Sequence, residues 1–121
     1  MKMEELLQWF QNNGGNMFIE YNEYDLLELF LNEPVGIGEL NEELIYSYKN
    51  DMGFSITMYL NVYAQKIELS LSYNDTVLFN DTIHEVESII RINNDLLINS
   101  KSEKKLKLKF YPQVGVEFIE H

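Results

Sequence analysis

The stretch Phe54-Ser-Ile-Thr-Met-Tyr-Leu-Asn-Val-Tyr-Ala-Gln-Lys-Ile-Glu-Leu-Ser-Leu-Ser-Tyr73 decides how this chain is read. Phe54, Ile56, Met58, Leu60 and Val62 alternate with Ser55, Thr57, Tyr59, Asn61 and Tyr63, which is the period of a half-buried strand. Ala64-Gln65 turns the chain. Ile67, Leu69, Leu71 and Tyr73 then alternate with Glu68, Ser70 and Ser72, so the spacing predicts an antiparallel hairpin.

Downstream, Asn74-Asp75 begins a second turn, and Val77 to Asn80 reads as a third strand of the same meander. From Thr82 to Asn94 the residues Ile83, Val86, Ile89, Ile90 and Asn93 are spaced as on a helix, with Asp81 or Thr82 as its cap. Asp95 to Asn99 reads as extended and Ser100 to Lys105 as a polar loop. A second hairpin closes the chain. Leu106, Leu108 and Phe110 alternate with lysines and are answered, beyond Tyr111-Pro112-Gln113, by Val114, Val116 and Phe118. Lys105, Lys107 and Lys109 point outward on that reading, where lysines commonly guard an exposed strand against edge-to-edge pairing.

Upstream, Leu6, Leu7, Trp9 and Phe10 predict a short helix from Glu4 to Asn12, ended by Asn13-Gly14-Gly15. Met17, Ile19 and Tyr21 suggest a brief strand. Asn22 offers an N-cap to a helix over Glu23 to Asn32 that stops at Pro34, although so short an apolar run also fits a strand. Pro34-Val35-Gly36-Ile37-Gly38 has two glycines but neither the three-glycine dinucleotide fingerprint nor the Gly-Lys-Ser/Thr of a phosphate loop. Its neighbours Glu33 and Glu39 repel phosphate, so it reads as a flexible connection. The expected fold is α+β, one domain over residues 1–121, with N-terminal helices and a mainly antiparallel sheet of five to six strands.

Composition narrows function. The 121 residues suit one core, and 45% hydrophobic with 13% aromatic residues is the makeup of a folded chain. No run approaches the roughly 20 apolar residues that span a bilayer, and Met1-Lys2-Met3-Glu4-Glu5 lacks a signal-peptide pattern, so the chain is expected in the cytoplasm. Without cysteine there is no disulfide, thiolate metal site or thiol nucleophile. Of the two histidines, His121 is the final residue and His84 lacks the second imidazole usual in zinc enzymes. Carboxylate pairs suited to a glycosidase or a Mg²⁺ enzyme are too abundant to be informative. No cofactor, metal site or catalytic residue is expected.

Charge is the strongest signal, at a formal net of −11. From Met1 to Asp51 eleven acidic residues face only Lys2 and Lys49, whereas from Met52 to His121 nine face seven basic ones. Such a surface repels nucleic acid and anionic lipid. Between Glu20 and Glu43, eight acids occur without any Lys or Arg. One reading is a solvated, solubilising face; the sharper one is a docking surface for a basic partner, since like charges kept together strain the fold unless a complementary surface meets them. Glu20, Glu23, Asp25, Glu28, Glu39, Glu42 and Glu43 are the candidate contacts, joined by Tyr46 and Tyr48 from the set Tyr46, Tyr48, Tyr59, Tyr63 and Tyr73. Outward tyrosines on a sheet anchor protein interfaces; inward ones make cross-strand pairs.

A small, cysteine-free, acidic, β-rich chain resembles the immunity proteins of bacterial contact-dependent growth inhibition and related polymorphic toxin systems. In that family each protein binds the toxin domain of its own system and blocks its active site or substrate path, and many of the toxins are basic nucleases. The resemblance spans the whole chain in size and charge and brings no residue signature. It implies a non-catalytic inhibitor whose carboxylates mimic the phosphates its cationic partner would otherwise hold. An acidic secretion chaperone has a similar profile, and a carboxylate- and metal-dependent enzyme is the third class.

Overall fold

The alternation of Phe54 to Tyr73 is realised as two paired strands in the computed structural model, which describes residues 2–5, 17–38, 42–101 and 105–119. In chain order the elements are helix α1 (Glu23–Phe30) and strands β1 (Val35–Ile37), β2 (Glu43–Lys49), β3 (Phe54–Asn61), β4 (Lys66–Tyr73), β5 (Thr76–Ile83), β6 (Val86–Ile92), β7 (Asp95–Ser100), β8 (Lys105–Lys109) and β9 (Gly115–Ile119). They form two antiparallel meanders, β1-β2-β3-β4-β5 and β6-β7-β8-β9. The expected sheet of five to six strands is thereby corrected to nine strands in two sheets among the described residues. The helical share is also smaller than an α+β description implies, with α1 and a turn at 3–5 among the described residues. Most of the expected helix from Glu4 to Asn12 lies outside them.

Register follows apolar periodicity. Ile56, Met58 and Leu60 of β3 face Leu71, Leu69 and Ile67 of β4, and all six are buried. A one-residue slip would turn that set to water, which fixes the pairing. The β4–β5 connection is the two-residue turn Asn74-Asp75, with φ of 46° and 66°, the left-handed pair a right-twisted hairpin needs. The β2–β3 turn depends on Gly53, whose φ is 95° and where a Cβ would stand 2.3 Å from the Asn74 Oδ1.

Between Thr82 and Asn94 the expected helix is absent. The chain completes β5, changes sheets at His84-Glu85 and enters β6, which carries an irregularity between Val86 and Ser88. A bulge inserts one residue, so Val86 and Ile89 face the core three positions apart and imitate a helical period. The β-branched Ile83, Val86, Ile89, Ile90 and Ile92 favour the strand. Pro34 to Gly38 likewise includes the edge strand β1, paired with β2 through Val35↔Ile45 and Ile37↔Glu43. The strand expected at Met17 to Tyr21 reduces to a bridge: Ile19 N–H donates to the Val62 carbonyl, and Glu20 exchanges backbone hydrogen bonds with Glu87 and Ile89. That segment ties the first sheet to the second. Finally, β8 lies between β7 and β9, so its lysines sit on a central strand and guard no edge; Lys109 pairs with Glu117 across the hairpin at 3.1 Å.

Helix α1 closes one end of the core. Asn22 Oδ1 accepts hydrogen bonds from the Tyr24 and Asp25 amides, Leu31 leaves the helix at a left-handed φ of 61°, and Asn32 Nδ2 donates to the Phe30 and Ser47 carbonyls. Leu26, Leu29 and Phe30 are buried. The Phe30 ring packs 5.2 Å from Tyr46 of β2 and 4.9 Å from Phe110 beyond β8, with Tyr48 against Phe110 at 5.4 Å. Phe79 and Phe118 meet at 5.8 Å between β5 and β9. One hydrophobic cluster thus draws on the helix and both sheets.

Candidate protein-binding site

A groove of about 590 Å³ opens where the start of α1, the loop into β1 and the ends of β2 and β3 converge. Its position follows from local rules. The Asn22 cap sets Tyr21 before the helix and Glu23 and Tyr24 in its first turn; Pro34 ends the loop below, carrying Glu33; the β2 register turns Leu44 and Tyr46 inward while Tyr63 follows β3. Carboxylates of Glu23, Glu33 and Glu42 and the rings of Tyr21, Tyr24, Tyr46 and Tyr63 line it, with Leu27, Pro34, Leu44 and Val62 between them. Among the described residues no Lys, Arg or His lines it.

The electrostatics are those of a negative, partly desolvated cleft. Burial pushes the Tyr46 phenol up to about 12, with the neighbouring Tyr21 and Glu23 adding to it. Burial also raises Tyr21, helped by Glu23 and Tyr63. These groups therefore sense one another across the groove, and each disfavours further negative charge on its neighbours. At its mouth Tyr24 and Tyr63 are 76% and 66% exposed, large ring faces left to solvent.

The acids singled out in the sequence divide by position. Glu23 and Glu42 line the groove, together with Glu33. Asp25 and Glu28 lie on α1 toward Arg91, whose Nη1 is 2.7 Å from Glu28 Oε2 and 3.9 Å from Asp25 Oδ1, so one guanidinium of the same chain partly neutralises both. Glu20 is exposed beside β6. Glu43 points to the opposite face of β2, where it accepts a hydrogen bond from the Tyr59 hydroxyl and raises that phenol. Glu39 lies outside the described residues.

Of the two readings open for Tyr46 and Tyr48, outward anchor or inward cross-strand partner, the β2 register gives the inward one. Tyr46 is 2% exposed and Tyr48 is half-buried against Phe110, because the polar Glu43, Ser47 and Lys49 take the other face. Tyr46 still reaches the groove from its floor. Tyr21, Tyr24 and Leu27 were not among the sequence candidates; the signal that marks them is their place around the Asn22 cap. Among the described residues no group of three or more His, Asp or Glu is placed to hold a metal ion, and no helix is long and apolar enough to cross a membrane. His84 is exposed, and its carbonyl accepts a hydrogen bond from the Ser100 hydroxyl.

The fold matches that of a chain in the contact-dependent growth inhibition toxin–immunity protein complex from Klebsiella pneumoniae 342. The match has a TM-score of 0.70 and 26% sequence identity, and covers 85% of this chain and 98% of that one. This chain has the fold of a toxin–immunity component. The resemblance to such immunity proteins, carried in the sequence by size, charge and β-rich character, is borne out by that likeness. No family model matches the sequence, and no curated protein matches it.

Proposed function

We propose that this protein is the immunity component of a contact-dependent growth inhibition system, a non-catalytic inhibitor that binds and neutralises its own system's toxin domain in the cytoplasm. The observation that carries the reading is the structural likeness over 98% of a chain from a toxin–immunity complex. The charge distribution supports it and gives the partner its chemistry: a cationic, nuclease-type domain is drawn to the carboxylates of Glu20, Glu23, Glu33 and Glu42, while the exposed rings of Tyr24 and Tyr63 supply contact area. Asp25 and Glu28, shared with Arg91, contribute less.

The test is co-expression with the toxin domain encoded beside it. A one-to-one complex that protects growing cells, and whose association slows as salt rises, is the expected result. A toxin that is neither bound nor inhibited contradicts the reading.

A further inference from the structure

We infer that the outer face of the second sheet is a self-association surface, on which a second copy of this chain docks face to face across a two-fold axis. Strand register defines the face. Ile90, Leu97, Lys107 and Glu117 form one row across β6, β7, β8 and β9; Ile92, Asp95 and Lys109 form the next. Residues paired directly share one side of a sheet, and the alternate residues Ile89, Leu96, Ile98, Leu106 and Leu108 are buried on the other. The two rows therefore look away from the core. A sheet face left to water normally carries polar side chains, yet Ile90 and Ile92 lie two positions apart on it at 48% and 44% exposure. The lysines of β8 have no edge to guard, and among the described residues Lys109 is the one of the three held in an ion pair, with Glu117.

Charge selects the occupant. At a formal net of −11, two copies repel each other over most directions of approach. On this face Lys105, Lys107 and Lys109 stand with Asp95 and Glu117, so cations outnumber anions and both signs are present. A two-fold axis lays such a patch upon itself, bringing lysines of one copy to carboxylates of the other around a shared aliphatic centre. A cationic toxin domain gains nothing from the same three lysines. The acidic groove draws no lining residue from β6 to β9, so each copy in the pair keeps it open. Four strands, the shortest of five residues, give a face of about 20 by 17 Å. That is at the small end of specific interfaces, so the dimer is reversible, with a Kd of about 10–100 μM.

The experiment is sedimentation of the full chain across the micromolar range, with ¹⁵N amide shifts followed on dilution. A monomer–dimer equilibrium is expected, with dilution shifts gathered on β6 to β9. Ile90→Ser with Ile92→Ser should weaken it by about tenfold or more. Lys105→Glu with Lys107→Glu, and separately Asp95→Lys with Glu117→Lys, should each weaken self-association, while a mixture of the two variants recovers a heterodimer. Circular dichroism and melting temperature check that each variant is folded, and the dilution shifts of the wild type need no variant. A chain monomeric throughout, dilution shifts centred on the first sheet, or folded variants that dimerise as the wild type does would each overturn the inference. So would charge variants that fail to associate when mixed.

Discussion

Around the groove, Glu23, Glu33 and Glu42 gather beside α1 and β2, and among the described residues no cationic side chain lines the same cavity. On the second sheet charge is matched instead. Lys109 pairs with Glu117 across β8 and β9 and holds that carboxyl below its usual range, while Arg91 of β6 reaches back to Glu28 and Asp25. Both regions share one core and one chain, yet among the described residues no cationic side chain lines the groove of the first, while the second holds ion pairs of its own. Acids met by their own chain's cations have little long-range pull left. Position in the fold, more than the number of acidic residues, decides which carboxylates a partner feels.

The largest effect is expected where the two regions are joined. Phe30 is fully buried and its ring meets Tyr46 on one side and Phe110 on the other, so Phe30→Ala should cost about 3–5 kcal/mol and degrade groove and second sheet together. Chemical denaturation measures it. A loss below about 1 kcal/mol would mean that the helix is not the joint between them.

Next in size is the contrast between groove and flank. Glu23→Lys with Glu33→Lys should slow association with the toxin domain by about 10- to 100-fold at low salt and leave the fold intact. Asp25→Lys with Glu28→Lys changes the same formal charge but strikes the Arg91 pair; its effect on the rate should be several-fold smaller and its effect on melting temperature larger. Equal rate losses from the two pairs would erase the distinction between the regions.

A smaller effect sharpens the same comparison by pH. The Tyr46 phenol is raised from 10.0 to about 12 in the folded state, so folding favours its protonated form. Its contribution is fully present below the unfolded value near 10 and is lost as pH rises toward about 12. Ultraviolet titration of tyrosinate should show a late phase that Tyr46→Phe removes, with stability falling across that window. A single phase near 10 in the folded protein would contradict the buried groove floor.

Much of this was legible in the residues, and the failures have physical causes. The β3–β4 hairpin showed because one face is buried and the other is wet, and the start of α1 showed because Asn22 carries the only side chain there able to cap it. β6 misled because a bulge and a change of sheet put buried residues three apart. β1 was hidden by its three-residue length and Gly36, which leave no period to count. Tyr46 and Tyr48 fit either an outer anchor or an inner pair by residue type alone, and it is Glu43, Ser47 and Lys49 that mark the outer face of β2. The acidic stretch was visible from composition. Its division between groove and Arg91 was not, since Arg91 lies 63 residues from Glu28 in the chain.

The most direct test is the salt dependence of the association rate with the toxin domain, measured by stopped flow for the wild type, for Glu23→Gln with Glu33→Gln, and for Asp25→Asn with Glu28→Gln. The groove pair should flatten the dependence markedly and the flank pair should leave it near the wild-type slope. A slope flattened by the flank pair and untouched by the groove pair would contradict the account.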